Sequence, residues 1–286
     1  MLSEQLKQRL SIGTIITLIL ILVIYYSQID SFQPVFIMLT SATIGFSLLE
    51  YYNLAIFKGW TPLSSLGIVS GISYVIAVAI SIHNPLLREL PAIVLWGTLL
   101  LSCLLFFNRR ALPLVNLAIT MFGLVYIVLP LSFVVRINYF LNDSLVTDGR
   151  LWLSYVLITS KATDMGAYFS GKVLGKHPLS PYISPNKTIE GALGGTLLAI
   201  VYSLLFSLFF SGSAHFHLAI LDSLWLGAVL SILAQFGDLT ESLFKRDAGV
   251  KNSSHLPGLG GILDMVDSLI FTLPLTYFLL RMHIIG

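Results

Sequence analysis

Apolar runs of about 20 residues recur along this chain, and a run of that length is what crossing a bilayer as a helix requires. "LAILDSLWLGAVLSILAQF" is one of them. In hydrocarbon every backbone N–H and C=O must be paired within its own segment, so sheet exposed to lipid is excluded and helices remain. The rule places nine helices, over 10–26, 34–55, 63–82, 91–107, 111–135, 151–170, 189–210, 218–237 and 262–280. The expected fold is therefore all-α, a polytopic integral membrane protein of about nine spans. Only 10% of the residues are charged, against about 25% in soluble domains. The opening "MLSEQLKQRLSIGTIITLILILVIYY" has basic residues before an apolar run but no small-x-small cleavage site, so it reads as an uncleaved first helix. A net charge of +2 gives no reason to expect a nucleic-acid partner. Cys103 is the single cysteine, which excludes a disulfide framework and a CxxC pair.

Loop cations set the orientation. With the N-terminus in the cytoplasm, that side holds Lys7, Arg9, Lys58, Arg109, Arg110, Lys172, Lys176, Lys187, Lys245, Arg246 and Lys251. The far side holds Arg88, Arg136, Arg150 and Arg281, while Lys161 lies within a span. Eleven against four favours this orientation. It also puts the two long polar loops, "GKVLGKHPLSPYISPNKTIEG" and "SLFKRDAGVKNSSHLPGLGG", on one cytoplasmic face.

Charges in or beside spans are costly and point to a bundle interior or a wet cavity. Lys161 and Asp164 are i, i+3, a spacing that fits a simple ion pair. Asp238, Ser242 and Lys245 share a helix face at i, i+4, i+7, with Glu241 adjacent. Asp264 and Asp267 are again i, i+3. Two like charges on one face repel and favour a cation nearby. Hard oxygen ligands without a His or Cys cluster suggest Mg²⁺. His177 and His255 lie in polar loops and carry little weight as ligands. "SPNKTIEG" places Ser184, Lys187 and Thr188 before a helix start, where cations and N–H groups attract phosphate. Thr188 or Ser184 serving only as an N-cap is the bland alternative. "KRDAGVK" adds Lys245, Arg246 and Lys251, and "HLPGLGG" allows close backbone approach to a ligand. Together these residues read as a metal and polyphosphate site at a membrane surface.

The stretch "SLFKRDAGVKNSSHLPGLGGILDMVD" resembles the signature of the phosphatidate cytidylyltransferases, or CDP-diacylglycerol synthases. The likeness runs through Ser242, Lys245, Arg246, Lys251, Ser253, Ser254, Pro257, Gly258, Gly260, Gly261, Asp264 and Asp267. It extends upstream to Gly237 and Asp238, and to the blocks Asp164–Tyr168 and Ser184–Gly191. In four places this chain departs from the family pattern. Asn252 stands for an Asp, Leu259 for a His and Met265 for an Arg, and the loop is one residue short before Pro257.

The resemblance implies that phosphatidate and CTP give CDP-diacylglycerol and pyrophosphate with Mg²⁺, at a bacterial cytoplasmic membrane. It implies metal binding by Asp238 and Asp264, with Ser242 and Asp267 in or near that shell. Lys245, Arg246, Lys251 and Lys187 would hold phosphates, beside Ser184, Thr188 and Asp164. Residues 1–150 then form an N-terminal group of about five spans, and 151–286 the catalytic region with its two loops. The partners expected are CTP, phosphatidate and the lipid bilayer, with room left for a homodimer. Two rival readings are a polyprenol kinase, which would release CDP instead of pyrophosphate, and an ion-coupled transporter. The cation asymmetry itself makes a prediction: in a Cys103-free background, cysteines at positions 180 and 253 should label from the same, cytoplasmic side. Labelling from opposite sides would separate the two loops.

Overall fold

The computed structural model of the chain describes residues 19–107, 112–139, 148–211, 216–250 and 261–282. Two compact units divide it, one of residues 1–136 and 247–265, the other of 137–246 and 266–286. The first contains α1 (Gln33–Phe57), α2 (Ser64–His83), α3 (Leu90–Phe107) and α4 (Pro113–Gly123). A π-helical turn, Leu124–Val128, carries α4 straight into α5 (Leu129–Tyr139), whose last three residues belong to the second unit. Prolines open the first turns of α1 and α4, where the missing N–H has no helical partner to lose.

Side-chain spacing explains how the first unit packs. Ile44, Leu48 and Tyr52 lie at i, i+4, i+8 on α1 and are fully buried. The Tyr52 hydroxyl donates to the Thr120 carbonyl at 2.9 Å. The ring fits because two facing helices carry glycine there. A Cβ on Gly67 would come within 2.1 Å of the Tyr52 hydroxyl oxygen, and one on Gly123 within 2.9 Å. The α1–α2 connection is tied to α4 as well, by Thr61 N–H donating to Asn116 Oδ1 and Leu63 N–H to Thr120 Oγ1.

The second unit contains α6 (Gly149–Leu174), a ribbon of β1 (Pro178–Ser180) and β2 (Ser184–Thr188), α7 (Ile189–Phe210) and α8 (Ile220–Asp247) up to Arg246. The strands are antiparallel, pairing Pro178 with Thr188 and Ser180 with Ser184. This short ribbon lies between helices α6 and α7 in sequence and is the one addition to the helical expectation among the described residues. At the end of α7, Trp152, Tyr155, Phe206 and Phe216 form an aromatic cluster, and Tyr155 and Ser203 hydroxyls meet at 2.6 Å.

Among the described residues, seven helical segments are long and apolar enough to cross a membrane: Gln33–Phe57, Ser64–His83, Pro85–Phe107, Pro113–Tyr139, Ile189–Phe210, Ile220–Asp247 and Ile262–Arg281. They bear out seven of the nine expected spans. The expected span over 10–26 lies partly outside the described residues, and 19–26 of it is helical. The expected span over 151–170 is the 26-residue α6, long enough to cross but interrupted by Lys161 and Asp164. The last span carries a break that its apolar sequence did not predict. It consists of α9 (Ile262–Val266) and α10 (Leu269–Arg281), with a turn at Asp267–Ser268. The Ser268 N–H turns to the Asp267 side chain, donating to Oδ1 at 2.5 Å.

Helices α6 and α7 approach along a seam of small residues. A Cβ on Gly166 would sit 2.8 Å from the Gly194 carbonyl oxygen and 2.9 Å from Gly195 Cα. Such small-residue seams let backbones touch where lipid offers no hydrophobic drive to pack. Gly166→Val should therefore force α6 and α7 apart at about 1–3 kcal/mol of overpacking. A lowered melting midpoint in detergent would be the readout; an unchanged midpoint would show that the seam yields.

Candidate active site

The second unit gathers its charges from four segments. Asp164 and Lys161 come from α6, Lys187 from β2, Asp238 from α8 and Asp267 from the turn before α10. Lys187 Nζ contacts Asp238 Oδ2 at 2.6 Å. Lys161 Nζ contacts Asp164 Oδ2 at 3.3 Å, the ion pair that their spacing suggested. The charges of Asp238 and Asp164 both act on the buried Asp267, with Lys161 opposing them. Asp164 in turn feels Lys161, Asp238 and Lys187. Three carboxylates and two lysines thus form one electrostatic group.

Gly237 explains how Asp267 reaches this group. A Cβ on Gly237 would lie 2.2 Å from the Asp267 carbonyl oxygen. Any larger residue would push the α10 turn off α8, next to Asp238. Asp267 also stands at the start of α10, where the helix dipole favours a negative charge.

One turn further along α8, Lys245 and Glu241 form a second pair at 2.7 Å. Glu241 is wholly buried and Lys245 nearly so, with Ser242 beside them also buried. Arg246 donates from Nε to the Ile183 carbonyl at 3.0 Å, which ties the ribbon's turn to the end of α8. Thr188 is the N-cap of α7, its Oγ1 accepting from Gly191 N–H at 3.1 Å. Ser184 begins β2. Glu190 holds the approach to the ribbon: Oε2 accepts from the N–H groups of Lys176 and His177, and Oε1 lies 2.6 Å from His177 Nδ1. His177 thus has a carboxylate partner. His255 and Lys251 lie outside the described residues, as do Asn252 and Leu259.

Asp264 sits in the first unit, on α9. Its Oδ2 accepts from Gly261 N–H at 3.0 Å, the reach-back of a residue at the third helical position to the N-cap. The next two N–H groups, of Ile262 and Leu263, go to Glu50 of α1 at 2.8 and 2.9 Å. Of the loop "HLPGLGG" only Gly261 is among the described residues, and its N–H is taken by Asp264.

Among the described residues no three His, Cys, Asp or Glu side chains are drawn together into a closed metal cage. The donor set nonetheless fits Mg²⁺, which keeps several waters and is usually bound through one or two carboxylates plus substrate phosphates. Asp238 and Asp267 are the carboxylates in question, hard oxygen donors whose like charges act on one another.

The model of the Cytidylyltransferase family matches residues 7–283. The chain belongs to that family. Among cytidylyltransferases, the phosphatidate cytidylyltransferase of Chlamydia pneumoniae is 32% identical over 290 aligned positions, covering 96% of this chain and 92% of that protein. That of Chlamydia trachomatis is 37% identical over 176 positions, 59% of this chain and 56% of the relative. That of Bacillus subtilis is 43% identical over 147 positions, 51% and 53%. In these two shorter matches the chain spans about half the length of the relative.

Two carboxylates have partners that the sequence reading did not give them. Glu241 stands four residues before Lys245, the favourable order for a helical pair, and that signal was available. Glu50 lies in an apolar run, where any carboxylate is noteworthy, but its partners are more than 200 residues away. The Glu241–Lys245 pair yields a prediction. Glu241→Gln strands a buried ammonium and should cost about 3–5 kcal/mol of stability. Glu241→Met combined with Lys245→Met should recover most of that stability while remaining inactive. Melting midpoints and turnover measured on the same preparations check both halves, and an active double variant would remove Lys245 from the chemistry.

Proposed function

We propose that Asp164, Asp238, Asp267, Lys187, Ser242, Lys245 and Arg246 form the site at which this chain performs phosphatidate cytidylyl transfer. The activity is that of the family: a relative aligned over 96% of the chain is a phosphatidate cytidylyltransferase. The chain is accordingly a CTP:phosphatidate cytidylyltransferase, an integral membrane enzyme of phospholipid synthesis. The observation that carries the site assignment is the convergence of three carboxylates and two lysines from α6, β2, α8 and the α10 turn. Asp264, to which the sequence motif gives a ligand role, lies in the first unit, where its Oδ2 accepts from Gly261 N–H.

The chemistry suits such a site. A phosphate oxygen of phosphatidate attacks the α-phosphorus of CTP, and the bond from that phosphorus to the bridging oxygen of the β-phosphate breaks. Pyrophosphate leaves with that electron pair. The attacking oxygen is already ionised near neutral pH, so no histidine base is needed. What the protein must supply is alignment and charge stabilisation. A Mg²⁺ ion held through Asp238 and Asp267 would neutralise charge on the triphosphate. Lys187 already meets Asp238, so it can exchange that carboxylate for a phosphate when the nucleotide arrives. Arg246 fixes the ribbon that carries Lys187. Lys245, Lys251, Ser184 and Thr188 complete the proposed phosphate-binding set, with Thr188 also capping α7.

The site faces the cytoplasm of a bacterial inner membrane in this proposal, which is where CTP is found and where the loop cations put it. The acyl chains stay in the bilayer while the headgroup meets the nucleotide at its rim. Asp238→Asn and Asp267→Asn should each lower CDP-diacylglycerol formation about 100-fold or more, the scale of losing a preorganised electrostatic partner. The assay uses purified protein, phosphatidate, labelled CTP and Mg²⁺, with both products identified. Release of CDP in place of pyrophosphate would assign a kinase instead, and full activity in either variant would dissolve the site.

A further inference from the structure

Glu190 stands in the first turn of α7, three residues after Lys187. Its carboxylate turns back across the foot of the ribbon. Oε2 accepts from the N–H groups of Lys176 and His177 at 3.1 and 3.2 Å, and Oε1 lies 2.6 Å from His177 Nδ1. Hydrogen bonds to a charged acceptor are stronger than neutral ones. An acid in the first turn is also favoured by the helix dipole. The backbone closes the same junction, with Ile189 N–H donating to the His177 carbonyl at 2.9 Å. The strand that enters the ribbon is thus fastened to the helix that leaves it.

A ribbon this small needs such a fastening. Its strands have three and five residues, and a lone two-stranded hairpin is marginally stable at best in water. It is held to helices at its turn, its exit and its entry. At the turn Arg246 Nε donates to the Ile183 carbonyl. At the exit Thr188 caps α7, and glycines of α6 and its C-cap make room for it. A Cβ on Gly171 would lie 3.1 Å from Thr188 Oγ1, and one on Gly175 2.8 Å from Thr188 Cγ2. At the entry Glu190 holds Lys176 and His177. Lys187 lies on β2, one residue before the cap, and its ammonium meets Asp238 at 2.6 Å. A lysine carries its charge on a flexible four-carbon stem, so the place of that charge depends on the backbone beneath it. Pro178 pairs with Thr188 across the ribbon, so a shift of residues 176–178 passes to the neighbour of Lys187.

We infer that Glu190 is a positioning residue of the cytidylyl transfer: by holding the Lys176 and His177 amides to α7 it fixes the ribbon in the place where Lys187 meets Asp238, and so sets the affinity for the CTP triphosphate. The inference rests on the reading of Lys187 as a phosphate-binding residue. Every contact it uses lies within the second unit. It gives a role to the acid of "SPNKTIEG", a block whose Ser184, Lys187 and Thr188 alone carry the phosphate reading of the sequence.

The test is CTP binding to the purified, detergent-solubilised protein by isothermal titration calorimetry, with Mg²⁺ and without phosphatidate. Hydrogen–deuterium exchange at the ribbon and KM for each substrate accompany it. The variants are Glu190→Ala, Glu190→Gln, His177→Ala, Lys187→Met and the double variant Lys187→Met with Glu190→Ala. Glu190→Ala should speed exchange at Lys176 and His177 and weaken CTP binding about tenfold, the coupling expected of residues that share one network. KM for CTP should rise in parallel, while KM for phosphatidate stays unchanged. Glu190→Gln keeps an acceptor oxygen without the charge and should fall between Glu190→Ala and the unsubstituted protein. His177→Ala removes the ring contact but not the amide bonds, and should lose less than Glu190→Ala. The double variant should bind CTP no more weakly than Lys187→Met alone, because Glu190 acts through that lysine. Unaltered CTP affinity in Glu190→Ala overturns the inference, whether or not exchange quickens. Additive losses in the double variant overturn it too, as does an equal rise in KM for phosphatidate, since general loosening would then suffice. If Lys187→Met binds CTP normally, the phosphate reading of Lys187 fails first, and the Glu190 inference falls with it.

Discussion

A charge held beside hydrocarbon needs an answering charge or donor, and this chain keeps several carboxylates in that situation. Asp238 is answered by Lys187, Glu241 by Lys245, Asp164 by Lys161, and Glu50 by two backbone amides. Asp267 takes the N–H of Ser268 while the charges of two further aspartates act on it. The arrangement of the second unit follows from these pairings. The ribbon is where it is because Lys187 and Arg246 hold its two ends to α8, one through a carboxylate and one through a carbonyl. The proposed site, built from ion pairs that can be exchanged, suits the transfer of a nucleotidyl group between phosphates, which asks for charge matching and alignment more than for proton transfer.

Glycines make the pairings geometrically available. Gly237 lets the backbone at Asp267 come against α8 one residue from Asp238. Gly166, Gly194 and Gly195 bring α6 and α7 into backbone contact, which brings Asp164 and the ribbon onto one framework. The break in the last span belongs to the same design. Non-helical backbone at membrane depth is tolerated where protein buries it, and here the turn at Asp267–Ser268 is buried with its amide satisfied.

The first unit has its own internal logic. Its core converges on Tyr52, and the same turn of α1 carries Glu50. An apolar scaffold with one misplaced acid would be poor membrane protein chemistry. Here the acid is answered by the two backbone amides at the start of α9.

The sequence by itself settled the membrane class, seven spans and the family resemblance, because apolar length and a long gapped motif are local signals. It also offered the Lys161–Asp164 pair and the capping option of Thr188, which depend on neighbours within one turn and which the structure shows. It placed Asp238, Lys245 and Asp267 among the residues of interest without saying what they touch. Only the tertiary structure decided that Lys187 belongs to Asp238, that Arg246 holds Ile183, and that the last span breaks at Asp267. It alone decided that Glu50 and the amides of Ile262 and Leu263 belong together, although they lie 212 and 213 residues apart with no periodicity linking them. The physical reason is the same in each case. A helix period fixes which side chains share a face, whereas the partner across an interface is fixed by which backbones can approach, and in this chain glycines at facing positions determine that.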